Sequence, residues 1–329
     1  MAALPGQEMS VSEVISSLRS MWQSTGDPSD AGAPSEFHAS QLNLVVHFGV
    51  KTPVAEAKAI FDSAIEFAKR YPCRIVVLCP SDGGELNNTF QGKLFTQCYI
   101  GESHRRMCCC EALLLAYSPK ESEYLADQVS LWLESDLPVY YWVHRVPAHR
   151  LETHYGDFLK SFRRLVYDSS VGGNLPDQLN NPDGLSAGDL AIARNLPLRQ
   201  SIGQFLSTFD PEILVKGLNR VTVSYNEGKS AEAENLLAWN RQCIAKALEL
   251  AGINTKIAYE VQPVETGDRE TLAIEWSYKG SSYFNWRYYE RSQLGEISSN
   301  FGNGRISQPM QLKPLAPAQA LSEALFFPR

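Results

Sequence analysis

The sequence predicts an α/β chain: a mostly parallel sheet with flanking helices in an N-terminal domain, followed by an α+β domain with an antiparallel meander. Three observations carry this. Short, nearly continuous apolar runs alternate with helical patterns through the first half, as strands buried on both faces do. Late in the chain, strand patterns follow one another across turns with no helix between them. The 329 residues have ordinary apolar content and suffice for two domains. The divisions are drawn at 1–40, an N-terminal helix and flexible linker; 41–210, the α/β domain; and 211–329, the α+β domain.

Residues 10–22 form an amphipathic helix pattern, and the Gly-, Pro-, Ser- and Asp-rich stretch Ser24–Glu36 reads as a linker. LNLVVHF, residues 42–48, is a buried strand. Thr52 is placed to cap a helix with Pro53 at its first position, and Val54, Ala57, Phe61, Ala64 and Ala68 recur on one face. That helix stops before Pro72, and CRIVVLC, residues 73–79, is the next strand, so the unit closes with a right-handed crossover between parallel strands. MCCCEALLLAY, residues 107–117, is a strand, and Ser118-Pro119-Lys120-Glu121 spells a capping box opening a helix with Leu125, Val129 and Trp132 on one face. VYYWV (139–143), a helix over 151–163, RLVYDSS (164–170) and a long helix over about 187–208 complete the first half. In the second half NRVTVSYN is a strand. Ser230 caps a long helix, with Cys243 among its inward residues, that ends near Gly252. TKIAYEV, TLAIEWSY, SYFNWRYYER and GEISSNF then supply the meander.

The net charge is −7 with no basic block, which argues against nucleic acid as a partner, because phosphate backbones need clustered Lys and Arg. The N-terminus lacks a basic segment followed by an apolar run, and no apolar run approaches the roughly 20 residues a bilayer requires. A cytoplasmic protein without a membrane segment is expected, and its seven cysteines are expected to be reduced.

Three of those cysteines, Cys108, Cys109 and Cys110, are consecutive. Zinc sites favour pairs such as C-x-x-C, whereas a strand turns alternate side chains to opposite faces, so these three thiols do not converge. Small apolar residues in a buried strand is the favoured reading, and the three stand as redox candidates only if a thiol is exposed with a depressed pKa near Arg105 or Arg106. Other motifs fail on context. Gly184-Leu185-Ser186-Ala187-Gly188 matches a nucleophile elbow but follows a turn-rich loop, and no histidine occurs after His154; Ser186 reads as a helix cap, with Asp189 near the positive end. Gly92-Lys93-Leu94 is not a phosphate loop, and Gly302-Asn303-Gly304 lacks the helix a dinucleotide fingerprint needs. No catalytic constellation, cofactor site or metal site is assigned.

The segment order LNLVVHF, AIEFAKRYPCRIVVL, CYIGESHRRMCCCEALLL, DLPVYYWVHRVP, RLVYDSS and GDLAIARNLPLRQSIGQFLSTFD, followed by the helix AEAENLLAWNRQCIAKALE, resembles the glucose-6-phosphate dehydrogenase assembly protein family, OpcA, from about residue 40 onward. The resemblance implies a non-catalytic assembly factor or allosteric activator of glucose-6-phosphate dehydrogenase in the oxidative pentose phosphate pathway, with thioredoxin as a further partner in some members. It supplies no catalytic residues to carry over. For the partner interface, the carboxyl ends of parallel strands offer Trp142, His144 and Arg145, and Asp168 and Ser169; Arg105 and Arg106 precede the cysteine strand, and Arg287 lies on one face of the aromatic strand. The alternative is a small-molecule enzyme or sensor for a sugar phosphate or nucleotide, using the same strand ends and the turn at Gly83-Gly84.

Overall fold

The computed structural model describes residues 1–24, 40–81, 90–100, 107–180, 186–264 and 271–327. The linker expected at Ser24–Glu36 and the turn at Gly83-Gly84 fall almost wholly outside these residues. The chain divides into two compact units: Met1–Asp189 with Pro317–Arg329, and Leu190–Ala316.

The first unit begins with β1 (Gln7–Met9) and α1 (Val11–Ser24), then β2 (Leu42–Phe48), α2 (Val54–Arg70), β3 (Cys73–Pro80), β4 (Phe90–Ile100) and β5 (Met107–Tyr117). A 3-10 turn (Pro119–Tyr124) leads into α3 (Leu125–Ser130), β6 (Val139–His144), α4 (Ala148–Lys160) and β7 (Arg164–Tyr167). The short helices α5 (Ser169–Gly172) and α6 (Leu175–Gln178) precede β8 (Ala187–Asp189). These strands make one eight-stranded sheet in the order β1-β4-β5-β3-β2-β6-β7-β8. β5, β3, β2, β6, β7 and β8 are parallel, while β4 runs antiparallel to β5 and β1 antiparallel to β4.

Every residue of β2 is buried, as its apolar run requires when both faces are covered. Its two polar residues sit at the strand's ends and are satisfied there. Asn43 donates to the Glu134 and Leu137 carbonyls and accepts from the Glu134 N–H; His47 bonds two tyrosines described below.

The expected N-terminal appendage is part of this unit. β1 adds to the sheet through β4, and Val14 of α1 is fully buried in the core. The helix expected over 187–208 is broken. Ala187–Asp189 pairs in parallel with β7 as the sheet's edge, so Ser186 caps no helix there; its carbonyl accepts from Leu165 N–H. Thr52 does not cap α2 either. Pro53 takes the cap position without a side-chain hydrogen bond, and the Thr52 hydroxyl is buried with no partner among the described residues. In RLVYDSS only Arg164–Tyr167 is strand, because Asp168 caps α5 by accepting from the Ser170 N–H at 3.0 Å. Ser118 accepts from the Lys120 N–H and opens a 3-10 turn in place of the expected α-helical capping box.

The second unit comprises α7 (Leu190–Arg194), α8 (Leu196–Leu206), α9 (Pro211–Val215), β9 (Leu218–Tyr225), α10 (Ser230–Ala251), β10 (Ala258–Pro263), β11 (Leu272–Tyr278), β12 (Tyr283–Tyr289), β13 (Leu294–Asn300) and β14 (Ile306–Gln311). Its six-stranded sheet has the order β10-β9-β11-β12-β13-β14. β9 to β10 is a parallel pair across α10, and the remaining pairs are antiparallel, giving the expected meander. Leu198, Ile202 and Leu206 of α8 share a core with Trp276, Phe284 and Trp286, which draws the boundary back from 210 to 189. Lys229, not Ser230, holds the cap position of α10, and Cys243 is exposed rather than inward.

The last helix, α11 (Pro317–Phe326), returns to the first unit. Phe326 meets Phe67, Tyr71 and Tyr140, and the Ala324 carbonyl lies so close to Gly188 that a Cβ there would sit 2.2 Å from it. Pro317–Phe326, expected in the second domain, therefore packs on the first unit.

Candidate functional site

The chain leaves β2 in one direction, building β3, β4 and β5, then returns past β2 to build β6, β7 and β8 on its other side. The strand order thus reverses between β2 and β6. The carboxyl ends of two parallel strands whose following connections diverge leave a crevice, the usual ligand position in open α/β sheets.

Two loops line that crevice and are tied together. Gly49, after β2, donates to the His144 carbonyl at 2.7 Å. A Cβ at position 49 would lie 1.9 Å from the Arg145 carbonyl oxygen, so only glycine lets the loops approach this closely. Arg145 itself sits at φ 57, a left-handed conformation that a side chain adopts at a cost. Its guanidinium forks onto Glu56, with Nε at 2.6 Å from one carboxylate oxygen and an amino nitrogen at 2.9 Å from the other. His144 Nε2 lies 2.8 Å from the same carboxylate. The Arg145 and His144 hydrogen bonds, in that order, lower the Glu56 pKa to about 2.

The resulting cleft has a volume of about 750 Å³. Besides the buried His47, six basic side chains line it: Lys51, Lys120, Arg145, His149, Arg150 and His154. No carboxylate appears among its described lining residues. A hollow of about 850 Å³ beside α3 and α4 is larger, but it mixes Glu123 and Glu152 with Lys160 and Arg163. The switch-point cleft is distinguished from it by charge of a single sign.

Under the cleft lies a buried polar chain. His47 Nδ1 bonds the Tyr141 hydroxyl, His47 Nε2 lies 2.7 Å from the Tyr117 hydroxyl, and that hydroxyl lies 2.6 Å from the Tyr155 hydroxyl. Burial lowers the His47 pKa to about 3 and raises those of Tyr117, Tyr141 and Tyr155, so all four groups are neutral at pH 7. A neutral imidazole has one donor and one acceptor. Every donor inside the chain finds an acceptor if Tyr141 donates to Nδ1, Nε2–H donates to Tyr117, and Tyr117 donates to Tyr155. The Tyr155 hydroxyl is then the terminal donor, on a residue that lines the cleft.

The sequence-predicted residues fall in different places. His144, Arg145 and Asp168 come together at the ends of β6 and β7, around a side hollow of about 310 Å³. Trp142 does not belong to that surface; it is buried within β6, 4% exposed. Ser169 donates its N–H to Asp189 at 3.1 Å. Arg287 lies in the second unit, on the outward face of β12 with Tyr283 and Asn285, while Phe284, Trp286 and Tyr288 fill the core. Arg105 and Arg106 lie outside the described residues, as do the side chains of Cys108 and Cys109. Cys110 is fully buried, as are Cys73 and Cys79 nearly so, whereas Cys243 is exposed. Among the described residues, no three His, Cys, Asp or Glu side chains converge as metal ligands would, and no helix is long and apolar enough to cross a membrane. Lys51, Lys120 and Arg150 were not singled out by the sequence. Their only signal is that each follows, within a few residues, the end of a strand at the sheet's centre.

Comparison with known proteins gives a family and two relatives. Residues 64–182 match the family described as glucose-6-phosphate dehydrogenase subunit N-terminal domain. The chain is 26% identical over 224 residues to the putative OxPP cycle protein OpcA of Synechocystis sp., covering 64% of this chain and 43% of that protein. It is 27% identical over 178 residues to the putative OxPP cycle protein OpcA of Synechococcus elongatus, covering 52% of this chain and 39% of that one. The chain thus spans about two fifths of the length of these curated relatives. Among solved structures, an aldose-aldose oxidoreductase from Caulobacter crescentus gives a TM-score of 0.39 at 10% identity, over 85% of this chain and 87% of that one. A 3-ketoreductase from Actinomadura kijaniata gives 0.40 at 8% identity, with the same coverage. Likeness at that level transfers no chemistry. The family match and the two relatives thus place the similarity with OpcA proteins over part of this chain.

Proposed function

We propose that this chain is a non-catalytic partner of glucose-6-phosphate dehydrogenase, an assembly factor or allosteric activator acting in the cytoplasm in the oxidative pentose phosphate pathway. The observation that carries the reading is the match of residues 64–182 to a family described by that dehydrogenase. The two OpcA relatives, described as OxPP cycle proteins, point the same way.

Two surfaces suit a protein partner. One is the rim formed by His144, Arg145 and Asp168 at the strand ends of the first unit. The other is the outward face of β12 and β13, where Tyr283, Arg287 and Glu296 border a shallow hollow. Aromatic and arginine side chains of this kind are favoured at interface hot spots. Thioredoxin-dependent control is a further element of the proposal. Of the cysteines whose side chains are described, Cys243 is the accessible one.

Kinetics test the proposal. The chain is titrated into glucose-6-phosphate dehydrogenase from the same organism, under reducing and oxidising conditions, and rate is recorded against glucose 6-phosphate. A lowered half-saturation or a shifted oligomer on gel filtration is expected. Absence of co-elution together with unchanged kinetics in both redox states refutes it.

A further inference from the structure

We propose that the cleft at the switch between β2 and β6 is a binding site for a phosphorylated small molecule, a phosphomonoester held by Lys51, Lys120 and Arg150. Four independent features converge on this chemistry. The first is charge. Arg145 is neutralised by Glu56, but Lys51, Lys120 and Arg150 have no carboxylate partner among the described residues, Arg150 bonding instead to His154. Exposed cations that share a concave surface with no acid among its described residues repel each other, and an anion seated between them relieves that repulsion.

The second feature is the start of α4. Pro147 occupies its cap position and offers no side-chain acceptor. The N–H groups of Arg150 and Leu151 both go to the Pro147 carbonyl, and no acceptor is provided among the described residues for those of Ala148 and His149. A thirteen-residue helix therefore begins at the cleft with open donors and the positive end of its dipole. The third feature is the Tyr155 hydroxyl. In the proton order that makes Tyr141 the first donor, the His47–Tyr117–Tyr155 chain leaves the Tyr155 O–H as a neutral donor on a residue lining the cleft, and such a donor suits a phosphate oxygen. The fourth is place and size: a volume of about 750 Å³, within the range of small-molecule sites, at the carboxyl ends of the strands where the order reverses. An acidic peptide would answer the charge, and its carboxylates could use the helix amides, but the concave form at the strand ends suits a small molecule better than an extended chain.

The test measures the isolated chain by calorimetry and thermal unfolding at constant ionic strength. The probes are glucose 6-phosphate, adenosine 5′-monophosphate and inorganic phosphate, with glucose and adenosine as uncharged controls. Saturable binding of at least one phosphomonoester is expected, with no response to the uncharged controls. Unfolding of the first unit should rise by roughly 5 °C at a hundredfold excess over Kd. Preference for the sugar ester over the nucleotide, or the reverse, identifies the source of the phosphate, and either outcome supports the site. Each of Lys51→Gln, Lys120→Gln and Arg150→Gln should weaken binding roughly tenfold. All three side chains are exposed, and circular dichroism of each variant verifies its fold. Three outcomes overturn the proposal: no saturable binding of any phosphomonoester, binding undiminished in the three variants, or a response to poly-glutamate but to no phosphoester. The measurement uses the chain without the dehydrogenase, so its failure leaves the partner reading intact, and the converse holds.

Discussion

His47 should make the central strand of the first unit sensitive to mild acid. It is 1% exposed, and burial lowers its pKa from the model-peptide 6.5 to about 3. The unfolded chain takes up this proton as pH falls through 6.5, while the native state refuses it until about 3. Stability rises with pH wherever the unfolded state binds more protons, so it falls as pH drops across this window. At about 1.4 kcal/mol per pH unit, the loss is roughly 2 kcal/mol at pH 5 and on the order of 5 kcal/mol at the bottom of the window. The neighbouring Glu56, lowered to about 2, contributes only below its unfolded value of 4.5, and the tyrosines are neutral throughout. The interval from pH 7.5 to pH 5 therefore excludes Glu56 and the tyrosines, and a variant lacking the His47 imidazole separates its share from that of the other histidines, among them His144 on the adjacent strand.

The comparison is wild type against His47→Gln, whose side chain keeps a donor and an acceptor but does not titrate. Hydrogen exchange read by mass spectrometry on peptides covering Leu42–Phe48, corrected for intrinsic rate, gives the opening free energy of β2 at each pH. Wild type should lose about 2 kcal/mol between pH 7.5 and pH 5. The variant should start lower by about 1–3 kcal/mol, from imperfect replacement of the two tyrosine bonds, and then lose markedly less than wild type across the interval. A variant that retains the wild-type slope would refute the assignment to His47. A wild-type strand with no slope would refute the burial argument itself.

Gly49→Ala should destabilise the first unit by more than about 2 kcal/mol, because the new Cβ would lie 1.9 Å from a backbone oxygen that cannot move without displacing β6; a thermal midpoint equal to wild type would be the contrary result. Glu56→Gln should cost less than about 1 kcal/mol at pH 7, since the carboxylate is partly exposed. Its sharper signature is in acid. The Glu56 contribution is present above 4.5 and is lost as pH falls through about 2, so the thermal midpoint of the variant should fall less across that interval than wild type. Alkylation of the native chain with iodoacetamide should label Cys243, at a rate slowed by the burial that raises its pKa, and leave Cys73, Cys79 and Cys110 unmodified until unfolding, as peptide mass spectrometry would report.

The parallel strands other than β8 were legible because each is a short apolar run, as doubly covered strands are, and the crossovers followed from the helix patterns between them. β4 was not legible. Its sequence, FQGKLFTQCYI, mixes polar and apolar residues without clean alternation, and its pairing depends on β1 and β5 lying to either side. β8 is three residues long and is defined only by its register with β7. The return of α11 to the first sheet rests on contacts such as Phe326 with Tyr140, which are 186 residues apart in sequence and carry no local signal. The alternation in SYFNWRYYER divided the strand into two faces without telling which is core, and the structure buries Phe284, Trp286 and Tyr288. Caps failed where Thr52 and Ser230 were expected, because proline or lysine took the cap position one residue later or earlier.

The site was less legible than the fold for a reason that also bears on how it works. Lys51, Lys120 and Arg150 are scattered over a hundred residues in a chain of net charge −7, so no window of sequence looks basic. Topology gathers them, since each follows a different central strand and all the strands end on the same side of the sheet. Charges gathered this way act at short range. Screening removes most of their influence beyond about 8 Å at physiological salt, while the acidic surface elsewhere does not attract an approaching anion. Discrimination between ligands must then come from contacts inside the cleft rather than from long-range steering. The pairing of Glu56 with Arg145 and His144 fits that division of labour. It spends one cation on holding the two loops together at Gly49 and leaves the others facing solvent. A residue-by-residue search for motifs cannot see such an arrangement, because the chemistry lies in which strand ends are neighbours and not in which residues are.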